Sequence, residues 1–145
     1  MTRYLLTVAL LLLPSVCTAE LFKVDNVRVV DGDTVSGRVD FSRGLYYEGL
    51  IRATYDTWES SRARRSLGLR SRQWEIENAK GRKATVDLAT LVTEGELHLF
   101  LRDGTNLKES MGVYGRFVGK YVVVTPENKF INVGDWMEER GHLRK

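Results

Sequence analysis

Two β-strands joined by a tight turn are predicted by residues 22–41, which read FKVDNVRVVDGDTVSGRVDF. The first half is rich in valine, whose β-branched side chain favours a strand, and the central DGD sequence is typical of a turn. After this turn Val35, Val39 and Phe41 alternate with polar side chains. This period of two predicts a second strand that buries one face.

Further strands are predicted on the C-terminal side of this pair, at residues 45–55, 97–101 and 117–124. The first of them follows the turn sequence SRG, and the second alternates Leu97, Leu99 and Leu101. A TPEN sequence after the last strand is typical of a turn. The chain therefore carries five predicted strands.

Helices are predicted at two places between and after these strands. Apolar side chains recur at helical spacing within residues 84–92, and a further helical turn or two is expected at 74–80, before Gly81. Asn132 is typical of a helix N-cap, and Gly141 of a helix end. Three strands, a helix, two strands and a helix predict a mainly β (α+β) fold, a five-stranded OB-fold barrel with two or three helices. The alternative is a three-plus-two mixed sheet.

The composition is that of one globular domain, with 145 residues, a net charge of +3 and 43% hydrophobic residues. This hydrophobic fraction excludes a wholly disordered chain. The single cysteine excludes a disulfide scaffold and a zinc ribbon, and two histidines argue against a His-rich metal site. The small basic excess permits an anionic partner without requiring one.

The N-terminus has the features of a secretory signal peptide. Arg3 supplies a positive charge, residues 4–13 form a short apolar core, and a small-residue CTA sequence ends at Ala19. A membrane-spanning helix needs about 20 apolar residues, so this run is too short for one. We expect cleavage after Ala19 (residues 1–19 as signal peptide), a secreted or periplasmic domain of residues 20–145, and no stable membrane association. A lipoprotein reading through Cys17 has only a poor lipobox before it.

Two carboxylates stand at the end of the first predicted strand. Asp31 and Asp33 belong to the sequence DGDT. Taken alone, Asp-Gly is a common hairpin turn. The functional alternative is a site for a hard cation such as Ca²⁺, which takes several oxygen ligands at roughly 2.3–2.6 Å. Such a site needs a further oxygen donor from elsewhere in the chain.

A second acidic sequence, DTWE, follows the third predicted strand. In a barrel the end of that strand can lie beside the first turn, so Asp56 is a candidate to complete the cation site, with the Thr57 carbonyl oxygen as a further ligand. Glu59 would remain free to contact water. The alternative interpretation is a solvated acidic loop.

The third sequence of interest is YGR, which ends at Arg116 at the start of the fifth predicted strand. A guanidinium group there can form two parallel hydrogen bonds to a phosphate. The alternative is an ordinary surface arginine. Taken in order, DGDT, DTWE and YGR resemble the pattern of the staphylococcal-nuclease-like (thermonuclease) family. The closing NVGDWMEERG sequence is similar to the helix that follows the fifth strand in that family, so the resemblance covers roughly residues 24–143.

The resemblance implies an OB-fold, a bound Ca²⁺ and cleavage of phosphodiester bonds in DNA or RNA. By position, Asp33 and Asp56 match the carboxylate ligands and Thr57 the carbonyl ligand of the family, whereas Asp31 matches an acid that acts through water. Glu59 matches the general base for the attacking water. Arg116 matches the arginine that stabilises the charge developing on the phosphate.

The chain departs from the family pattern at two positions. The family has an arginine five residues before the aspartate of DTWE, where this chain has Ile51, and Arg52 lies one residue closer. Because strand side chains alternate between faces, this offset is expected to aim Arg52 away from the site unless a β-bulge restores it. With a bulge, Arg52 is a further catalytic candidate. The second departure is Trp58, where the family usually has proline.

Three classes of function remain open from the sequence, the last of them a protein-interaction domain on the same barrel. The first is a Ca²⁺-dependent nuclease of relaxed sequence preference acting on DNA, RNA or both, as a monomer. The alternative is a catalytically silent OB-fold module that binds single strands through a basic groove and stacking aromatic side chains, for which Tyr46, Tyr47, Trp58 and Tyr114 are the candidates. The basic stretch at residues 62–72 is either a solvated surface or a track for the phosphate backbone.

Overall fold

A computed structural model of the chain describes residues 20–60, 71–101, 111 and 115–145. The predicted signal peptide, most of the basic stretch and Tyr114 lie outside the described residues. In chain order the elements are β1 (Glu20–Asp31), β2 (Thr34–Ser42), β3 (Leu45–Ala53), α1 (Ser71–Glu94), β4 (Glu96–Leu101), β5 (Phe117–Val124), β6 (Phe130–Asn132) and α2 (Val133–Glu139).

Five of these strands close into a barrel. β1 pairs antiparallel with β2 and β4, β2 with β3, and β4 with β5. A short parallel pairing of β3 with β5, at Ile51↔Phe117 through Ala53↔Gly119, completes the ring. The Tyr121 hydroxyl reinforces this junction by donating a hydrogen bond to the Ile51 carbonyl oxygen at 2.5 Å. The mainly β, α+β barrel with two helices confirms the predicted fold class.

The core fills the barrel with the side chains that the alternating pattern had assigned to its interior. Val35 and Val39 of β2 and the three leucines of β4 are buried. α1 covers the barrel with a buried face that includes Ala84, Leu88 and Leu91, as its helical spacing predicted. Since each element buries one face only, the inward residues of the barrel and the inner face of α1 form a single hydrophobic core.

Three details differ from the prediction. α1 extends over Ser71–Glu94 without a break at Gly81, β3 ends at Ala53 rather than at 55, and the three-residue strand β6 was not predicted. Gly81 does not end the helix because it lies on the buried face of α1, where it contacts the segment after β3. β6 is too short to show a recognisable alternation.

The predicted ends of the second helix are confirmed. The Asn132 side chain accepts a hydrogen bond from the Gly134 N–H at 3.0 Å, as an N-cap does, and the helix ends before Gly141. Within the described ranges, neither helix combines the length and the apolar character needed to cross a membrane.

Candidate functional site

The turn between β1 and β2 carries the first two candidate acids. Asp31 pairs with Thr34 across the ladder, so Gly32 and Asp33 form a two-residue turn. The Asp31 carboxylate accepts hydrogen bonds from the Gly32 N–H at 2.9 Å and from the Thr85 hydroxyl of α1 at 3.3 Å. Asp31 therefore anchors the turn to α1, whereas Asp33 is buried on the opposite side of Gly32, with 6% of its surface exposed.

Two tyrosines lie against the backbone of this turn. The hydroxyl of the half-buried Tyr55 donates to the Gly32 carbonyl oxygen at 3.0 Å, and the hydroxyl of the buried Tyr121, which donates to the Ile51 carbonyl oxygen, lies 3.5 Å from the Asp33 carbonyl oxygen. Their rings meet edge to face, with centroids 6.0 Å apart. Burial raises the pKa of both phenols, so they stay protonated and keep donating. The Asp33 carbonyl oxygen also accepts from the Ala53 N–H at 2.8 Å.

Asp33 and Asp56 converge on one guanidinium group. Arg52 Nη2 lies 2.8 Å from Asp56 Oδ1 and 3.5 Å from Asp33 Oδ2. The two carboxylate oxygens are therefore separated by no more than the sum of these distances. Asp56 is about half exposed and Arg52 about one third exposed, so the pair forms the solvent-facing side of a site whose inner wall is Asp33. The structure thus brings together the end of β3 and the first turn, as the sequence predicted for a barrel.

The charge on Asp33 is costly in this environment. Burial is the largest influence and raises the pKa of its carboxyl from 3.8 to about 6. Hydrogen bonds from the Thr34 hydroxyl at 2.8 Å and the Thr57 N–H at 3.3 Å, and the positive charge of Arg52, lower the pKa and offset part of this effect. Because the pKa remains raised, these partners only partly compensate the desolvation of the carboxylate.

Arg52 contacts Asp33 and Asp56, as the sequence allowed only if the backbone between Arg52 and Asp56 departs from regular strand alternation. Strand alternation holds in β3, since Ile51 is fully buried in the core while Arg52 lies on the outer face. However, β3 ends at Ala53, and the chain bends at Thr54 and Tyr55 before reaching Asp56. The bend turns Asp56 back towards the outer face, so Arg52 reaches it without a bulge in the paired part of β3.

The segment that carries Asp56 and Thr57 is fixed by the C-terminal tail. Thr57 forms an isolated β-bridge with Leu143, and the Arg144 N–H donates to the Asp56 carbonyl oxygen at 3.0 Å. The tail itself is tied to α1 by His142, whose Nε2 lies 2.6 Å from Asp87 Oδ2. Among the described residues the buried Thr57 Oγ1 has no hydrogen-bond partner. The hydroxyl oxygen of Thr57, the residue whose N–H bonds Asp33, thus loses its hydration without gaining a hydrogen bond in exchange.

Glu59 lies three residues beyond Asp56 and is half-buried. Its backbone packs directly on α1 at Gly81, where a Cβ would overlap the Glu59 carbonyl oxygen and would lie 2.5 Å from the Trp58 carbonyl oxygen. Asn78 of α1 also donates to the Ser60 carbonyl oxygen at 2.6 Å. α1 therefore determines where the Trp58–Glu59 backbone lies.

Arg116 is half-buried and directly precedes β5. Arg52 pairs with Val118 across the β3–β5 ladder, and Arg116 lies two residues before Val118. Arg116 therefore lies at the entry to the strand that pairs with β3 beside Arg52. The Tyr47 hydroxyl bonds the carbonyl oxygens of Leu50, at 2.8 Å, and of Gly115, at 3.1 Å, which holds the start of β5 against β3.

Sequence reasoning missed the groups that support these candidates. Tyr121 has a detectable signal, because it falls on the inward positions of β5 between apolar residues. No sequence signal identifies Tyr55, Thr85 or the His142–Asp87 pair, because their hydrogen-bond partners are distant in sequence.

A Ca²⁺ ion needs several oxygen ligands, and the site supplies part of such a set. No group of three or more His, Cys, Asp or Glu side chains in the described part of the chain is arranged to hold a metal ion. Two carboxylates, Asp33 and Asp56, do converge, and one of them is buried with a raised pKa. They fit a hard cation whose other ligands are backbone, water or substrate oxygens. Asp31 is instead bonded to Gly32 and Thr85.

Comparison with known proteins adds no relative to this description. No protein-family model matches the chain, and no curated protein matches it.

Proposed function

We propose that this protein is a Ca²⁺-dependent nuclease of the staphylococcal-nuclease-like type, which hydrolyses phosphodiester bonds of DNA and RNA with little sequence specificity. The observation that carries the proposal is the convergence of Asp33 and Asp56 on Arg52, with Arg116 at the start of the strand that pairs with β3. Two converging acids suit a bound cation, and arginine suits a substrate that is itself an anion.

In this proposal Asp33, Asp56 and the Thr57 carbonyl oxygen hold the metal. When bound, Ca²⁺ supplies Lewis-acid polarisation of a phosphate oxygen. The buried position of Asp33 supports this assignment, because a carboxylate that is poorly compensated in the metal-free protein gains most from a cation. Asp31 orients the turn that presents Asp33 and contacts the metal only through water.

Glu59 accepts a proton from the attacking water and so acts as general base. Arg52 and Arg116 bind the phosphate oxygens, and their hydrogen bonds strengthen as negative charge builds up in the transition state. Removing one preorganised donor of this kind typically lowers the rate by about 10² to 10³. Arg52 is already held beside the two acids, so little ordering is required of it when the substrate binds.

A second candidate function is a binding module for single strands that does not cleave them. The observation that favours it is the Arg52 ion pairing, which gives both carboxylates a cationic partner without any metal. In that case Arg52 neutralises the acids, and the phosphate backbone is bound by the other basic residues.

The experiment that separates the two is incubation of the purified protein with plasmid and with single-stranded DNA, in Ca²⁺ and in EDTA. We expect cleavage of both substrates in Ca²⁺ only, and its loss in a folded Glu59→Gln variant. The matched control is Glu48→Gln, an acid in the middle of β3 whose residue pairs with Arg38 of the neighbouring strand β2. Binding without cleavage under all conditions would overturn the nuclease proposal in favour of the binding module.

A further inference from the structure

A cleft lies between the segment after β3 and the first half of α1. Its volume is about 420 Å³, within the range of roughly 300–1,000 Å³ found for small-ligand sites. We call it the Trp58 cleft. Its lining residues are Trp58, Arg72, Gln73, Ile76, Glu77 and Lys80.

The walls of the Trp58 cleft combine an aromatic ring, an apolar side chain and positive charge. The half-buried Trp58 indole has Lys80 Nζ 4.9 Å and Arg144 Cζ 5.9 Å from its ring centroid. Ile76 leaves 52% of its surface exposed beside it, although it is a large apolar residue on a helix surface. The lining cations Arg72 and Lys80 outnumber the single lining acid. A flat apolar group that carries a negative charge is complementary to these walls.

The cleft is next to the candidate catalytic site in the chain. Trp58 follows Asp56 by two residues, and two trans peptide steps span at most about 7.6 Å between Cα atoms. The backbone of Trp58 is also fixed against α1 at Gly81. A nucleic-acid strand with one phosphate at Asp33 and Asp56 therefore has its neighbouring nucleotide within reach of the Trp58 cleft.

We propose that the Trp58 cleft binds one unpaired nucleotide of the substrate, with its base against the Trp58 indole and Ile76 and its phosphate beside Lys80 and Arg72. This inference rests on the proposed function and adds a preference for single-stranded substrate. A base inside a duplex is stacked on its neighbours and cannot enter the cleft without first leaving the stack. Trp58 is also one of the two positions at which this chain departs from the family that it resembles.

The test measures binding rather than cleavage, in EDTA, by fluorescence anisotropy of a labelled short oligothymidylate and of an abasic oligomer of equal length and charge. Stacking of one base on an aromatic side chain is worth about 1–3 kcal/mol, so we expect the parent protein to bind the oligothymidylate roughly tenfold more tightly. Trp58→Ala should abolish this difference and leave the affinity for the abasic oligomer unchanged. Trp58→Phe should keep most of it, and Lys80→Ala should weaken binding of both oligomers.

The matched control is Phe130→Ala, which removes an aromatic side chain that is 65% exposed on β6 and lies outside the cleft. This variant should discriminate between the two oligomers as the parent does. Equal affinity of the parent for both oligomers would overturn the proposal, and this comparison needs no variant to fold. Discrimination that survives in Trp58→Ala would overturn it as well. Since the measurement needs no hydrolysis, a base-dependent affinity in a protein that cleaves nothing would support the cleft while rejecting the nuclease.

Discussion

The buried carboxyl of Asp33 lowers the stability of the fold and supplies an acid to the candidate site. Its carboxyl is buried beneath Gly32 and Thr34, and the pKa of about 6 means that ionisation is less favourable in the folded than in the unfolded chain. A carboxyl with a raised pKa stabilises the fold fully only below its unfolded pKa. That contribution is lost as the pH rises through the folded value.

We therefore expect the free energy of unfolding in EDTA to contain a component that falls between about pH 4 and pH 6. Asp33→Asn should lack this component and be more stable than the parent at pH 7.5, by on the order of 3 kcal/mol, because the amide carries no charge to desolvate. Urea unfolding at a series of pH values measures both proteins. Parallel curves for parent and variant would contradict the assignment, and Asp40→Asn, at an exposed acid, provides the control.

Arg52 and Arg116 carry the second residue-scale prediction. Arg52 contacts both acids, and in the proposed mechanism Arg52 and Arg116 both bind the phosphate oxygens. Arg52→Ala and Arg116→Ala should therefore each lower turnover by roughly 10² or more. Lysine should not fully restore either, since an ammonium group cannot make the two-pronged contact to phosphate. The measurement is Ca²⁺-dependent DNA hydrolysis, with folding checked by circular dichroism. Arg38→Ala, which removes an exposed arginine of β2, should keep the parent rate. A folded Arg116→Ala protein with parental activity would reject the proposed phosphate contact.

At the scale of elements, α1 acts as the support on which the acidic segment lies. Its inner face presents Asn78 to the Ser60 carbonyl oxygen, Gly81 to the Trp58–Glu59 backbone and Thr85 to Asp31. These three contacts fall on successive turns of one helix face. One straight element thus sets the relative positions of two segments that are far apart in sequence.

Gly81→Ala tests this support. In an exposed helix the substitution stabilises by about 1 kcal/mol, but here the added Cβ would overlap backbone atoms of Trp58 and Glu59. We expect a loss of stability of about 1–3 kcal/mol and a lower turnover, because α1 or the segment must shift. Urea unfolding and hydrolysis rates measure the two effects.

The control for helix propensity is Ala79→Gly at an exposed position of α1. It should cost about 1 kcal/mol of stability and leave turnover unchanged. A Gly81→Ala protein that is both more stable than the parent and equally active would show that the close approach has no consequence.

At the scale of the whole molecule, the site joins parts of the chain that the barrel and tail bring together. Asp33 comes from the first turn, Asp56 from the segment after β3, and the bridge at Leu143 from the C-terminus. A ligand that binds across these parts stabilises the complete fold, because the unfolded chain does not hold them together.

We therefore expect Ca²⁺ to raise the melting temperature with the logarithm of its concentration once this exceeds the Kd, with a stabilisation of about 2.7 kcal/mol at a hundred times the Kd. The increase should be larger above pH 6 than at pH 5, because protons compete with the metal for Asp33. Asp33→Asn and Asp56→Asn should each abolish it, and Asp40→Asn should not. An unchanged melting temperature with and without Ca²⁺ would reject the metal site independently of any activity measurement.

The sequence by itself predicted the features that depend on near neighbours. Alternation in β2 and β4, the helical spacing of Ala84, Leu88 and Leu91, and the Asn132 cap all express local geometry, which a few adjacent residues determine. The order of strands and helices then left few topologies for a domain of this size. The barrel was therefore predictable. The length of α1 was not, because glycine has a low helix propensity, whereas Gly81 lies inside the helix at a close contact with the Trp58–Glu59 backbone.

Only the tertiary structure decided which side chains meet. Alternation along β3 predicted that Arg52 faces away from Asp56, but alternation applies only while the backbone stays extended, and the chain bends after Ala53. The burial of Asp33, and with it the raised pKa, likewise depends on α1, β3 and β5 closing around one turn. The tail contacts at His142 and Leu143 join residues dozens of positions apart. Such contacts follow from chain closure and packing, for which a local pattern carries no signal.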